Sequence, residues 1–361
     1  MKLVIFGLTI SSSWGNGHAT LWRGLCRALA RKGHRVVFFE RDVPYYALHR
    51  DLTELPGTGL RLYPSWEEAL PGALREVEDA DAAMVTSYCP DGVAASDLVL
   101  SSAVPVRVFY DLDTPITLER LAAGQEVPYL PPEGLGGFDL VLSYTGGQAL
   151  DELRDRLGAR RVAPLYGSVD PDLHCPAPPV PAFAADLSYL GTYAADRQEA
   201  LTRLFLAPAR QLPDRRFVIG GAQYPADFPW GSNIFFVRHL PPADHPAFYA
   251  SSPLTLNVTR AAMAGMGYCP AGRLFEAAAC GTAVLSDPWE GIADFFEPGR
   301  EILLAETPEE AIEAISLPRE EIAKIARAAR ERTLAEHTAE RRAGELVELL
   351  DTMEGEERIA V

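Results

Sequence analysis

No run in these 361 residues approaches the roughly 18 consecutive apolar residues of a membrane span. The opening stretch KLVIFGLTI is too short, and too soon followed by Ser11 to Ser13, to be the apolar core of a signal peptide. The chain is therefore expected to be soluble and cytoplasmic. Positive charge is in deficit as well. Against 50 Asp and Glu stand only 33 Lys and Arg, a formal net charge of −17, which argues against nucleic acid as a partner because such binding rests on an excess of cations neutralising phosphates. A single anionic ligand remains compatible if a few arginines converge on it. The five cysteines are scattered, with no C-x-x-C pair and no Cys/His cluster at zinc-ligand spacing. That pattern suits a reducing compartment and a protein without structural metal. Repeats at solenoid periods are absent too.

What is present is alternation. After KLVIFG come a glycine-bearing loop and the periodic segment LWRGLCRALARKGH, the first strand–loop–helix unit of a doubly wound sheet. RVVFFE, AAMVTSY, VRVFYD, DLVLSY and RVAPLY read as buried parallel strands, separated by helical patterns around residues 66–77, 116–123 and 148–157. PDLHCPAPPVPAFAA interrupts the series, since closely spaced prolines neither donate to a sheet nor continue a helix. A second series then begins: DLSYLGTY, a helix over 196–205, RFVIGG, a loop with Trp230, NIFFVRHL, LTLNVTR, a helix over 273–280, TAVLSD and EILLA. From about Thr307 the text is helical and charge-laced, with an apolar stripe to dock. At 48% hydrophobic residues the chain can bury two cores. The expected organisation is an α/β pair of Rossmann-like, doubly wound parallel-sheet domains facing across a cleft, residues 1–172 and 186–335, with a proline-rich linker at 173–185 and a C-terminal helix and tail at 336–361.

Ligands of such sheets sit at the carboxyl ends of the strands. In CPAGRLFEAAACGTAVLSD, Gly272 and Arg273 open a helix whose free N–H groups, with the arginine, suit a pyrophosphate. Glu276, about one turn deeper, can accept hydrogen bonds from a ribose diol. Asn257 and Arg260 end the preceding strand. In the first unit His18 stands where the loop enters the helix, and a neutral imidazole there can take a proton while a carboxylate on its far nitrogen fixes the tautomer. Asp111 is the first candidate for that carboxylate and Asp113 the second. Asp111-Leu112-Asp113 also has D-x-D metal spacing, although strand-end acids are common without metal. The other histidines, His34, His49, His174, His239, His245 and His337, read as surface or helix-end residues.

NVTRAAM, GRLFEAAACGTAVLSDPWEGIADFFEPGREILLA and AEHTAERRA resemble the donor-binding domain of GT-B glycosyltransferases, specifically the CgeB-like (spore-maturation protein CgeB) family, and WGNGHATLWRGLCRALARKGHRVVFFERD resembles the opening unit of GT-B enzymes broadly. The resemblance implies transfer of a sugar from a nucleotide-diphosphate sugar, most often a UDP-sugar, to a hydroxyl-bearing acceptor. It implies a donor held by Arg260, Arg273 and Glu276, with Gly191, Thr192 and Arg197 closing on the phosphates, no bound metal or other cofactor, and His18 as the base. The earlier of the family's paired glutamates falls on Tyr268, where this chain departs from the pattern.

Other classes compete. Gly15-x-Gly17 with Glu40 at the end of RVVFFE suggests a dinucleotide fingerprint, but the third glycine position is Thr20 and a polar stretch intervenes where the fingerprint has a tight turn. A sugar-nucleotide epimerase on the same fold, or a non-catalytic module binding a sugar nucleotide or glycan, are the remaining alternatives.

Overall fold

A computed structural model describes residues 1–360, with side chains through Met353. The chain forms two compact units, residues 1–166 with the helix from 339 onward, and residues 167–338.

The first unit is a seven-stranded parallel sheet of β1 (Lys2–Gly7), β2 (Arg35–Arg41), β3 (Thr58–Tyr63), β4 (Ala82–Thr86), β5 (Val106–Asp111), β6 (Leu140–Ser143) and β7 (Val162–Pro164), in the order β3-β2-β1-β4-β5-β6-β7. β1 and β4 are buried along their whole length, as continuous apolar runs covered on both faces must be. Helices at His18–Arg31, Trp66–Glu78, Gly92–Ser101, Thr114–Ala122 and Gln148–Leu157 supply that cover. The polar stretch after β1 is held down by Glu40, a fully buried carboxylate that accepts from Thr9 Oγ1, from the Ile10 and Ser11 amides and from Ser11 Oγ. Glu40 therefore anchors a loop, which removes the acid on which the dinucleotide reading depended.

The last helix, Ala339–Ala360, buries Ala339, Ala343, Leu346, Leu350 and Met353, an i, i+4, i+7 stripe, and packs against the His18–Arg31 helix. Arg31 meets Glu340 at 3.3 Å beside this seam, and Arg161 Nη1 reaches Met353 Sδ at 3.4 Å. The chain thus returns to its first unit at residue 339, and the crossing out of that unit falls at 166/167, ahead of the proline-rich segment.

The second unit carries β8 (Leu187–Leu190), β9 (Phe217–Gly221), β10 (Ile234–Arg238), β11 (Leu254–Asn257), β12 (Ala283–Ser286) and β13 (Leu303–Leu304), all parallel, in the order β10-β9-β8-β11-β12-β13. The proline-rich segment packs on this unit. Val180 N donates to Ser251 Oγ at 2.8 Å, and Phe183 lies against Phe248 at 5.7 Å between ring centres. Among the described residues no helix is long and apolar enough to cross a membrane.

Candidate functional sites at the two switch points

In each sheet the strand order reverses once, between β1 and β4 and between β8 and β11, and the crevice at such a point is where doubly wound sheets take ligands. The residues singled out above gather at these two places.

In the second unit, Gly191 and Thr192 follow β8 directly, and β11 ends in Asn257. Gly191 keeps its ladder bond to Gly220 O at 2.9 Å, and the chain here is too tight for any side chain. A Cβ on Gly221 would run into the Gly191 carbonyl oxygen, and one on Gly191 would lie 2.8 Å from the Tyr189 hydroxyl and 3.2 Å from Arg273 Nη2. Arg273, in the first turn of the Gly272–Ala279 helix, donates through Nη1 to Asn257 Oδ1 and Val258 O, both at 3.2 Å, and its guanidinium stands 5.3 Å from the Tyr189 ring centre. Asn257 is itself fixed, donating to Ser286 Oγ at 2.9 Å, while Thr259 donates to Asp287 Oδ1 through both its amide and hydroxyl at 3.0 Å. The helix itself starts with no side-chain cap.

Arg197 reaches Thr192 O at 3.4 Å, and its Nε is buried with no hydrogen-bond partner. Burial, with Arg273 and Arg260 as like-charged neighbours, holds its guanidinium below the ordinary value. Arg260 pairs with Asp196 at 2.8 Å, joining the loops that follow β11 and β8. Three arginines thus converge on this crevice in a strongly acidic protein, an arrangement suited to phosphate. Glu276 follows one turn on. Tyr249 Oη donates to its Oε2 at 3.4 Å, and two histidines flank it, His174 Nε2 at 3.9 Å from Oε1 and His245 Nδ1 at 3.8 Å from Oε2. Burial holds the His245 imidazole below the ordinary histidine value.

In the first unit His18 opens its helix with its amide bonded to Asn16 Oδ1 at 3.1 Å. Its ring nitrogen Nε2 lies 3.8 Å from Asp113 Oδ1, within ion-pair range and long for a hydrogen bond. Asp113 Oδ2 accepts from the Tyr88 hydroxyl at 2.7 Å. Burial and then Asp113 push that phenol above its ordinary value, so it stays a donor. Tyr88 takes a left-handed φ of 63° to present this hydroxyl, a strained conformation for a bulky residue.

Asp111 is not the carboxylate beside His18. It is fully buried, with Oδ1 accepting from the Asp113 amide at 3.1 Å and Oδ2 unpartnered. Burial raises it from 3.8 to about 6. The folded protein accordingly holds a proton on Asp111 that the unfolded chain releases, so the contribution of this group is fully present below 3.8 and is lost as the pH rises through about 6. Asp111→Asn should gain stability over the parent by on the order of 2 kcal/mol more at pH 7 than at pH 4. Urea unfolding of both proteins at the two pH values measures this, and a pH-independent difference would contradict it.

The reading of His174 needs correction, since it is 2% exposed and lies at no helix end. His337 is a helix-end residue, closing the Arg319–Glu336 helix, and it is buried there on the Phe275 ring with its centre 4.6 Å away. The sequence reading also missed Tyr189, Asp196 and Tyr224, whose hydroxyl donates to Gly191 O at 3.0 Å. For Tyr224 a signal existed in the aromatic spacing through Trp230 and Phe236, whose rings enclose it at centroid distances of 5.7 and 5.3 Å.

Residues 197–348 match a family described as glycosyl transferase-like. No curated protein matches the chain at a significant level. Among solved structures, it is similar to sucrose-phosphate synthase from Thermosynechococcus elongatus, at 17% identity over 98% of this chain and 99% of that one, with a TM-score of 0.73. HepE of Anabaena in complex with UDP-glucose aligns at 14% identity over 98% and 100% of the two chains, TM-score 0.68. An alpha-glucosyltransferase in complex with UDP-glucose and DNA aligns at 12% identity over 97% and 99%, TM-score 0.69. With two parallel Rossmann-like sheets, the chain has the fold of GT-B glycosyltransferases, and residues 197–348 of it match the glycosyl transferase-like family.

Proposed function

We propose that this protein is a glycosyltransferase that takes a sugar from a nucleotide-diphosphate donor, a UDP-sugar, and passes it to a hydroxyl-bearing acceptor other than nucleic acid, with no metal taking part in the transfer. The observation that carries this reading is the convergence of Arg197, Arg260 and Arg273 on the Gly191-Thr192 turn, with Glu276 one turn behind. The arginines bind the diphosphate and neutralise the charge that grows on it as the bond to the anomeric carbon breaks. Glu276 accepts from the ribose hydroxyls. UDP is favoured because HepE and the alpha-glucosyltransferase are described with UDP or UDP-glucose.

The acceptor hydroxyl loses its proton to His18. Asp113 beside Nε2 selects the tautomer that leaves Nδ1 free to take that proton, and its charge stabilises the imidazolium that results. Tyr88 holds Asp113 in place. The net charge of −17 disfavours a polyanionic acceptor.

A panel of nucleoside diphosphates and nucleotide sugars, followed by thermal shift and by release of the diphosphate, tests the proposal. Stabilisation by UDP and UDP-sugars is expected, with Glu276→Ala weakening UDP-sugar binding about tenfold, the loss of one charged hydrogen-bond acceptor. A protein stabilised by no nucleotide would refute the reading.

A further inference from the structure

The pair of histidines around Glu276 is not accounted for by donor binding. His174 comes from the proline-rich segment, His245 from the start of the His245–Ala250 helix and Glu276 from the Gly272–Ala279 helix, three stretches far apart in sequence and all within the second unit. Their ligating atoms lie within 4.8 Å of one another. His174 Nε2 and His245 Nδ1 are 3.4 Å apart, and each is under 4 Å from a Glu276 oxygen. A tetrahedral ion with bonds of about 2.0–2.2 Å keeps its donors roughly 3.3–3.6 Å apart, so the three groups already stand near that spacing.

The ring orientation agrees. His245 Nε2 faces Leu240 O at 3.3 Å, and a carbonyl oxygen only accepts, so the proton of the neutral ring is on Nε2. Nδ1 then turns a lone pair toward His174 and Glu276. A backbone carbonyl behind a histidine and a hydroxyl behind a carboxylate, here Leu240 O and Tyr249 Oη, are the outer partners that orient metal ligands.

The geometry points to a divalent transition-metal site formed by His174, His245 and Glu276, of the kind that takes Zn²⁺. Two imidazoles and one carboxylate suit zinc and its neighbours and do not suit Mg²⁺, which demands oxygen ligands. The ion takes no part in sugar transfer. It draws on the same carboxylate as the ribose, so metal and donor oppose each other; this consequence rests on the glycosyltransferase reading, whereas the site itself does not.

The test is titration of the full-length, chelator-treated protein with ZnCl₂ alone, and with CoCl₂ for its visible spectrum. One Zn²⁺ per chain is expected, with no uptake of Mg²⁺. Co²⁺ should give the absorption bands of a low-coordinate nitrogen and oxygen site in the unaltered protein, a readout that needs no variant to fold. His174→Ala and His245→Ala should each weaken Zn²⁺ binding about tenfold or more, with circular dichroism checking their fold, while His34→Ala leaves it unchanged. Absence of Zn²⁺ binding, or binding indifferent to both histidine substitutions, overturns the site. Saturating UDP-glucose should lower the Zn²⁺ affinity, and an unaltered affinity overturns the shared use of Glu276. Zinc binding in a protein that binds no nucleotide sugar upholds the site and overturns the donor assignment instead.

Discussion

Arg273→Ala should lower kcat/KM for a UDP-sugar by about 10²–10³, the usual cost of removing one preorganised group that meets developing charge. The expectation follows from how tightly the guanidinium is set. Nη1 is spent on Asn257 Oδ1 and Val258 O, the plane is held beside the Tyr189 ring, and Nη2 is left facing the Gly191 turn. A group fixed before the ligand arrives loses no rotamer freedom on binding, which is why it contributes more than a mobile surface arginine. Arg273→Lys restores the charge but not the planar group that makes two anchoring bonds while still presenting a third donor, so it should recover only part of the loss. Titration with UDP and with uridine separates the causes. UDP affinity should fall sharply and uridine affinity stay the same. An equal loss for both would mean that the substitution damaged the pocket generally and that Arg273 is no phosphate ligand.

His18→Ala should reduce transfer to a true acceptor by about 10²–10⁴, the range for a general base, while leaving UDP affinity intact. Asp113→Asn should reduce transfer by a smaller factor, since it keeps the shape and removes only the charge beside Nε2. Asp111→Asn should spare transfer, because its carboxylate is buried and its bonding is to the Asp113 amide. Steady-state kinetics on the three variants decides the matter. Unchanged turnover in His18→Ala, or equal damage from the two aspartate substitutions, would exclude the base assignment.

The parallel strands were legible because burial on both faces writes them as continuous apolar runs, as in VVFFE and AAMVT. β3 was not. It is an edge strand with Arg61 and Leu62 exposed and a glycine inside it, so it has neither the apolar run nor a clean alternation. The Gly92–Ser101 helix hid behind Asp91-Gly92, a turn signal that here starts a helix. At the crevice of the second unit, Gly191 and Arg273 could be found because a glycine following a strand and an arginine opening a helix carry their meaning locally. Choosing between Asp111 and Asp113 needed the structure. The first is the last residue of β5, still inside the sheet, and the second is the cap position of the next helix, already outside it. His174 and His245 could not be paired from sequence, since each looks like an isolated histidine and their meeting across 71 residues is a product of tertiary packing.

The return of the Ala339–Ala360 helix to the first unit also sets an order of completion during synthesis. Domains generally fold as they emerge, the N-terminal one first. Here the N-terminal sheet leaves the ribosome early but lacks the 22-residue helix that packs on its His18–Arg31 helix until residues 339–360 have been made. The unit at 167–338 is contiguous in the chain and has all its parts before then. The unit begun first is therefore completed after the second, and in the interval the face of the His18–Arg31 helix that the last helix covers stands open.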